Sequence, residues 1–161
     1  MRRRFNRSVV HGGFWYRVYD LVCLLSPLPV RLISLFNRKL ARALKGKRGG
    51  ADRWEIGMGD ERRCVLLHVA SYGELEGVLP LIDRLQNTAG LRVALSFSSP
   101  SAEKAVLSLP GIWARGYLPY DQLYRQLRFL ARIDPSVVLI SKHDIWPNMI
   151  RAARALEIPA F

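Results

Sequence analysis

No glycine-rich phosphate loop occurs in the 161 residues: neither GxGxxG nor GxxxxGK followed by Ser or Thr is present. That lowers a dinucleotide or nucleoside-triphosphatase reading. Cysteine is scarce. Cys23 and Cys64 are too few and too far apart for a disulfide framework or a metal cluster, and they fit a reducing compartment and ordinary burial. No His, Cys or acid cluster has metal-site spacing. Long apolar runs are missing as well. Inside the N-terminal apolar stretch the longest charge-free run is residues 21–30, with Pro27 and Pro29 in it. A simple spanning helix wants roughly 20 apolar residues. Acid is scarce at one end only. Residues 1–51 carry 12 Lys/Arg against one acid, Asp20, a charge of +11, and residues 52–161 carry 13 against 12, a charge of +1. The net +12 therefore belongs to an N-terminal segment, and a near-neutral remainder argues against a nucleic-acid partner. Half of the chain is apolar and 24% is charged, which excludes a disordered polymer and leaves material for a core.

The basic segment divides into amphipathic pieces. Arg2, Arg3, Arg4 and Arg7 precede an apolar stretch from Val9 to Phe36. A signal peptide starts this way, but Arg17 and Asp20 interrupt the stretch and no small-residue cleavage site follows. Two helices are expected, broken at Ser26-Pro27-Leu28-Pro29. The first covers 13–25, with Arg17 and Asp20 spaced to pair on its narrow polar side. The second covers 30–45. There Arg31, Ser34, Arg38, Arg42 and Lys45 make one polar, cationic stripe opposite Leu32, Ile33, Leu35, Phe36, Leu40, Ala43 and Leu44. A basic amphipathic helix suits an anionic membrane surface, and it also suits a helix packed on the domain with a solvated cationic face. Residues 45–50, Lys-Gly-Lys-Arg-Gly-Gly, read as a linker. The expected division is 1–50 for basic amphipathic helices that anchor the protein at a membrane, with their linker, and 51–161 for the globular unit.

From Arg62 onward the period changes. Residues 64–69 form a continuously apolar run, as in a strand buried on both faces. Helical pattern over 73–86, strand over 91–97, a helix opened by Ser99-Pro100, and a weaker strand over 112–117 follow. A helix over 121–133, a strand over 136–140, a helix over 144–156 and a strand starting at Ile158 complete the alternation. Alternating strands and helices imply an α/β fold with a mainly parallel, doubly wound sheet. The chain stops at Phe161 at the start of a strand, which is expected of a truncated product or of the first half of something larger.

Ligands of such sheets bind at the carboxyl ends of the strands. The first βα junction, residues 68–74 (HVASYGE), sets Glu74 in the first turn of a helix, where the dipole favours its ionised form. Gly73 permits close backbone approach, and Ser71 with the free N–H groups can hold an anion or a sugar hydroxyl. A carboxylate fixed there can act as a general base, and a capping serine with a first-turn glutamate explains the same spacing. His68, on the strand, reads as a packed core histidine. The second junction, Ser98-Ser99-Pro100-Ser101, suits phosphate, carboxylate or simple capping. The third leads to Asp121 as the N-cap of the next helix. The fourth concentrates Lys142, His143, Asp144 and Asn148 within seven residues. Lys142 can pair with an anionic substrate or with Glu74, and Asp144 can cap the helix that Pro147 helps begin.

Five motifs then occur in order: HVASYGE (68–74), LPLIDRL (79–85), SSPSA (98–102), YLPYD (117–121) and DIWPN (144–148). With Arg53-Trp54-Glu55-Ile56-Gly57 before them, the region 53–161 resembles the N-terminal domain of the 3-deoxy-D-manno-octulosonic acid (Kdo) transferases of lipopolysaccharide assembly. The resemblance implies a Rossmann-like sheet, the first half of a two-domain GT-B glycosyltransferase. It implies transfer of Kdo from CMP-Kdo to a lipid A precursor, without metal or cofactor, at the cytoplasmic face of the inner membrane. It makes Glu74 the catalytic base, and its motifs include Ser71 and Gly73. The remaining candidates for substrate binding are Ser99, Lys142, Asp144 and Asn148. Lys142 stands where the family's second acidic motif has an acid, and Ala102 stands where a glycine is usual. The donor nucleotide of the family binds mainly to a C-terminal domain that these residues do not include, so the isolated chain is expected to be inactive unless a partner chain supplies that domain. The competing expectation is a non-catalytic, membrane-bound glycolipid-binding module or an inactive fragment.

Overall fold

The computed structural model describes residues 6, 13–48, 50–87, 90–142 and 144–161. Arg2, Arg3, Arg4, Arg7, Val9 and His143 lie outside the described residues. In chain order the elements are α1 (Phe14–Leu25), α2 (Pro27–Ser34), α3 (Arg38–Arg48), a 3-10 turn (Gly50–Arg53) and β1 (Glu55–Ile56). Then come β2 (Arg63–Val69), α4 (Tyr72–Gln86), β3 (Leu91–Phe97), α5 (Pro100–Ser108), β4 (Ala114–Tyr117), α6 (Leu123–Ile133), β5 (Pro135–Ile140) and α7 (Pro147–Ala155).

The sheet order is β1-β4-β3-β2-β5. β2, β3, β4 and β5 are parallel, and β1 runs antiparallel on β4. Ala160 makes a parallel bridge to Val138, so residues beyond α7 do begin to extend the sheet past β5. This mixed α/β, mostly parallel arrangement is compatible with a Rossmann-like domain. β2 is an interior strand between β3 and β5 with helices on both faces, which explains its unbroken apolar run: Leu66 packs in one core with Phe129 and Met149, and Leu67 in the other with Leu75, Ile82 and Phe97. The two cores make the sheet doubly wound. The chain runs β2, β3, β4 in one direction and then crosses back to β5 on the other flank of β2. The switch point therefore lies between the carboxyl ends of β2 and β5, where open α/β sheets take ligands.

The N-terminal segment differs from its expected form in three ways. Its described residues hold three helices rather than two. Ser26 closes α1 and opens α2, and Pro27 and Pro29 occupy the first turn, where no N–H is missed. The helix expected over 30–45 is interrupted at Leu35–Asn37, because the Asn37 side chain accepts the Leu40 N–H at 3.1 Å and starts α3. Second, residues 45–48 are no linker: α3 continues through them. Gly46 lies so close to the Tyr117 ring that a Cβ there would overlap it. Third, Asp20 reaches into the globular unit instead of serving Arg17. It accepts from Arg151 Nη1 at 2.9 Å and from Asn148 Nδ2 at 2.8 Å. No helix among the described residues is long and apolar enough to cross a membrane.

Candidate functional site

The site grows from the end of β2. After Val69 the chain turns at Ala70 and enters α4 at Ser71. Glu74, in the first turn, folds back so that its Oε2 accepts the Ala70 N–H at 2.8 Å. One carboxylate oxygen is thus fixed, and Oε1 has no hydrogen-bond partner among the described residues. Ser71 is the N-cap, yet its side chain makes no cap hydrogen bond. The capping reading therefore accounts for Glu74 in part and not for the Ser71 hydroxyl. A Cβ built on Gly73 meets nothing within 4 Å, so the surface beside Glu74 is open.

The loop after β3 locks onto this turn. Ser99 N–H donates to the Ala70 carbonyl at 2.9 Å, and the Tyr72 N–H donates to Ser101 Oγ at 3.3 Å. The Ser99 hydroxyl accepts the Ser101 N–H at 3.3 Å and caps α5. Ser99 and Glu74 are therefore held through the same residue, Ala70.

The loop after β5 is pinned by a cluster that sequence reasoning did not assemble. His68 is fully buried on β2, with Nδ1 2.9 Å from Ser96 Oγ and Nε2 2.8 Å from Asp144 Oδ2. The Ser98 hydroxyl donates to the same Asp144 oxygen at 3.0 Å. An ionised carboxylate only accepts, so the His68 Nε2 carries the proton towards it. Burial alone would push the Asp144 carboxyl up. Hydrogen bonds from His68 and Ser98, with the attraction of His68, outweigh it and hold the pKa down at about 2. A depressed folded-state pKa means stability that is present above the unfolded value and lost as pH falls through about 2. Asp144 does not cap α7. Lys142, exposed at the end of β5, has a left-handed backbone with φ 56°. A non-glycine residue in that conformation carries strain of about 1 kcal/mol, the kind that functional loops retain. Lys142 and Glu74 form no ion pair among the described residues.

Asn148 sits apart from these groups. It is fully buried, and its Nδ2 donates to Asp20 Oδ1 at 2.8 Å and to the Asp121 carbonyl at 2.9 Å. The α7 N-terminus is capped from a distance. Asp121 accepts the Asn148 and Met149 N–H groups, each at 3.0 Å, along with the Tyr19 hydroxyl at 2.7 Å. Asp121 thus caps α7, not α6 as its position had suggested. This network of Tyr19, Asp20, Asp121, Asn148 and Arg151 ties α1 to the rim of the sheet. Asp20 was the available signal, as the single acid in a strongly basic segment.

Burial raises the Asp121 pKa, against the hydrogen bonds from Asn148, Tyr19 and Met149, and Asp20 adds to the rise. The unfolded carboxyl titrates near about 3.9. Above that pH the native state binds more protons than the unfolded one, so this group makes stability fall as pH rises through the window up to its raised pKa. Asp121→Asn is expected to remove that slope. The difference in unfolding free energy between wild type and variant should be largest below about pH 4 and smaller above it. Urea denaturation between acid and neutral pH checks this, and a constant difference would remove Asp121 as the titrating group.

Among the described residues no three His, Cys, Asp or Glu side chains converge as metal ligands. A cavity of about 590 Å³ adjoins the site, between α2 and α3 on one side and the loops after β3 and β5 on the other.

Residues 41–161 match the family model for 3-deoxy-D-manno-octulosonic-acid transferase (kdotransferase). The chain belongs to the Kdo transferase family. Among the relatives it matches, the 3-deoxy-D-manno-octulosonic acid transferase of Bordetella pertussis is 33% identical over 101 residues, 59% of this chain and 23% of that protein. The enzyme of the same name from Haemophilus influenzae is 26% identical over 153 residues, 91% of this chain and 34% of that protein. A probable mitochondrial 3-deoxy-D-manno-octulosonic acid transferase of Arabidopsis thaliana is 28% identical over 97 residues, 59% of this chain and 22% of that protein. The chain spans between about a fifth and a third of the length of these Kdo transferases. The match covers β1 to β5, α4 to α7, α3 from residue 41 onward, and every candidate site residue.

Proposed function

We propose that this chain is the acceptor-side domain of a glycosyltransferase that moves Kdo from CMP-Kdo to a lipid A precursor, with Glu74 as general base. The observation that carries the reading is the Glu74 carboxylate itself. It follows the carboxyl end of β2, with one oxygen fixed by the Ala70 N–H and the other without a hydrogen-bond partner among the described residues. In this reading the acceptor hydroxyl loses its proton to Glu74 Oε1 as its oxygen attacks the anomeric carbon of Kdo. The bond from that carbon to the cytidylate oxygen breaks, and CMP leaves with the electron pair. In the same reading Ser71, after β2, and Lys142, after β5, bind the polar, anionic parts of the acceptor. Ser99, Asp144 and Asn148 act as positioning residues: they hold Ala70, the loop after β5 and the start of α7. A second Rossmann-like domain binds the donor and completes the GT-B cleft.

The exposed apolar side chains of α1 and α2, with the cations beside them, hold the domain at the cytoplasmic face of the inner membrane. A non-catalytic glycolipid-binding module is the second reading. Transfer assays separate the two. A polypeptide in which this chain is continued to the length of its relatives should move Kdo from CMP-Kdo to the precursor. Binding of the precursor with no transfer favours the second reading.

Gly73→Ala tests the geometry. The added methyl meets no protein atom within 4 Å, so stability should stay level or rise by up to about 1 kcal/mol. The kcat/KM for the acceptor should fall by about tenfold or more, because a 1 Å displacement of a reacting group already costs that order of rate. Unchanged kcat/KM would take Gly73 out of the acceptor site.

A further inference from the structure

The cavity beside the switch point has two unlike walls. Val30 from α2 and Leu40, Ala43 and Leu44 from α3 make one wall apolar. Ser98, Ser99 and Trp146 from the sheet rim make the other. Its volume of about 590 Å³ falls within the range of about 300–1,000 Å³ typical of small-molecule sites. Lys47, in the last turn of α3, lies where the walls meet, with its ammonium 4.4 Å from the centre of the Trp146 ring. No ion pair to Lys47 forms among the described residues. Burial lowers its pKa, and the more distant Asp144 and Asp121 carboxylates only partly offset that. A desolvated ammonium without a counter-ion among the described residues, facing a cavity lined largely by apolar side chains with Ser26 and Asn37 among them, suits a ligand that brings a negative head and an alkyl chain together.

We propose that this cavity binds one acyl chain of the acceptor lipid together with an anionic phosphate on the sugar that bears it, with Lys47 as the counter-ion and the α2–α3 wall covering the chain. The inference deepens the reading above and rests on it, since it names the part of the acceptor that this chain holds away from the reacting hydroxyl. Its link to the chemistry is short. Ser98 lines the cavity and donates to Asp144, and Ser99 lines it and holds Ala70, whose N–H fixes Glu74.

Calorimetry below the micelle concentration tests the proposal on the full chain. Dodecyl phosphate should bind saturably at one site. Dodecanol should bind about tenfold more weakly, a difference of about 1.4 kcal/mol, and inorganic phosphate should not displace the chain. Lys47→Gln should erase the tenfold preference, and Ala43→Phe should abolish saturable binding by filling the apolar side. Far-UV circular dichroism confirms that both variants fold, and the head-group series on wild type needs no variant. Head-group-blind binding, or wild-type affinity in both variants, overturns the proposal. So does tighter binding of a lysophosphatidylglycerol with the same chain length, which would assign the cavity to bilayer lipid. Repeating the titration with Glu74→Gln separates the two claims: chain binding should persist where transfer is lost.

Discussion

Glu74→Gln should lower kcat for Kdo transfer by about 10²–10⁴-fold, the usual contribution of a positioned general base. The fold should barely notice. The Gln side chain has the same length, and its carbonyl oxygen can still accept the Ala70 N–H that Oε2 accepts at 2.8 Å. Only the favourable placement of a negative charge in the first turn of α4 is lost, about 0.3–1 kcal/mol. The substitution removes a proton acceptor and little else, so KM for the precursor should stay within about twofold while kcat falls, the pattern of an interaction used in the transition state. The experiment is steady-state transfer from CMP-Kdo by the polypeptide continued to the family's length, with thermal unfolding measured alongside. A variant that keeps kcat within about threefold of wild type would place the base elsewhere. Because the Ser71 hydroxyl is not spent on capping, Ser71→Ala is the natural comparison. It should raise KM for the acceptor more than it lowers kcat.

Much of the globular unit was legible because its information is local. The strand over 91–97 and the buried run ending at Val69 read directly, since a central parallel strand must be apolar on both faces. Glu74 was legible for the same reason. Its neighbours in space, Ala70 and Ser71, are its neighbours in sequence, and turn, cap and carboxylate are all written in seven residues.

What stayed hidden depends on distant partners. Asp20 meets Arg151 across 131 positions, and Asp144 meets His68 across 76. Neither pairing leaves a periodic trace. The local alternatives, an Arg17–Asp20 pair and an Asp144 cap, satisfy the same rules at lower sequence distance. Asp121 was assigned to the helix that follows it, and instead serves the N-terminus of α7. The Lys-Gly-Lys-Arg run imitates a linker because glycine and charge usually mean solvent. Here Gly46 is the residue that lets a helix lie against Tyr117, and the same helix carries Lys47 into the cavity. Composition cannot distinguish a glycine that breaks a helix from one that lets a helix approach.

Neutralising Arg31, Arg38, Arg42 and Lys45 together as glutamines should release the domain from anionic vesicles. All four are exposed, on α2 and α3. Each cation near an anionic surface contributes about 1 kcal/mol, so the set contributes about 4 kcal/mol and its loss should cost about 10³-fold in partition coefficient. The apolar side is equally available. None of the residues of α1 or α2 is buried, and Trp15, Leu35 and Phe36 are 78%, 76% and 93% exposed. A helix packed on the domain would cover its apolar face, whereas these side chains remain uncovered, which favours the membrane reading over a solvated cationic face. Sedimentation with vesicles of mixed phosphatidylglycerol and phosphatidylcholine measures the effect. Wild-type binding should weaken in high salt as the charges are screened, and the quadruple variant should show little further salt dependence. A Trp15, Leu35 and Phe36 triple serine variant should lose binding at every salt concentration, since each fully buried apolar side chain contributes about 1.5–3 kcal/mol. The Tyr19–Asp121 and Asp20–Arg151 contacts fasten α1 to the globular unit beside α7. If the quadruple variant binds vesicles as wild type does, the cationic stripe is a solvated face, and the acceptor must reach Glu74 without the membrane being held beside it.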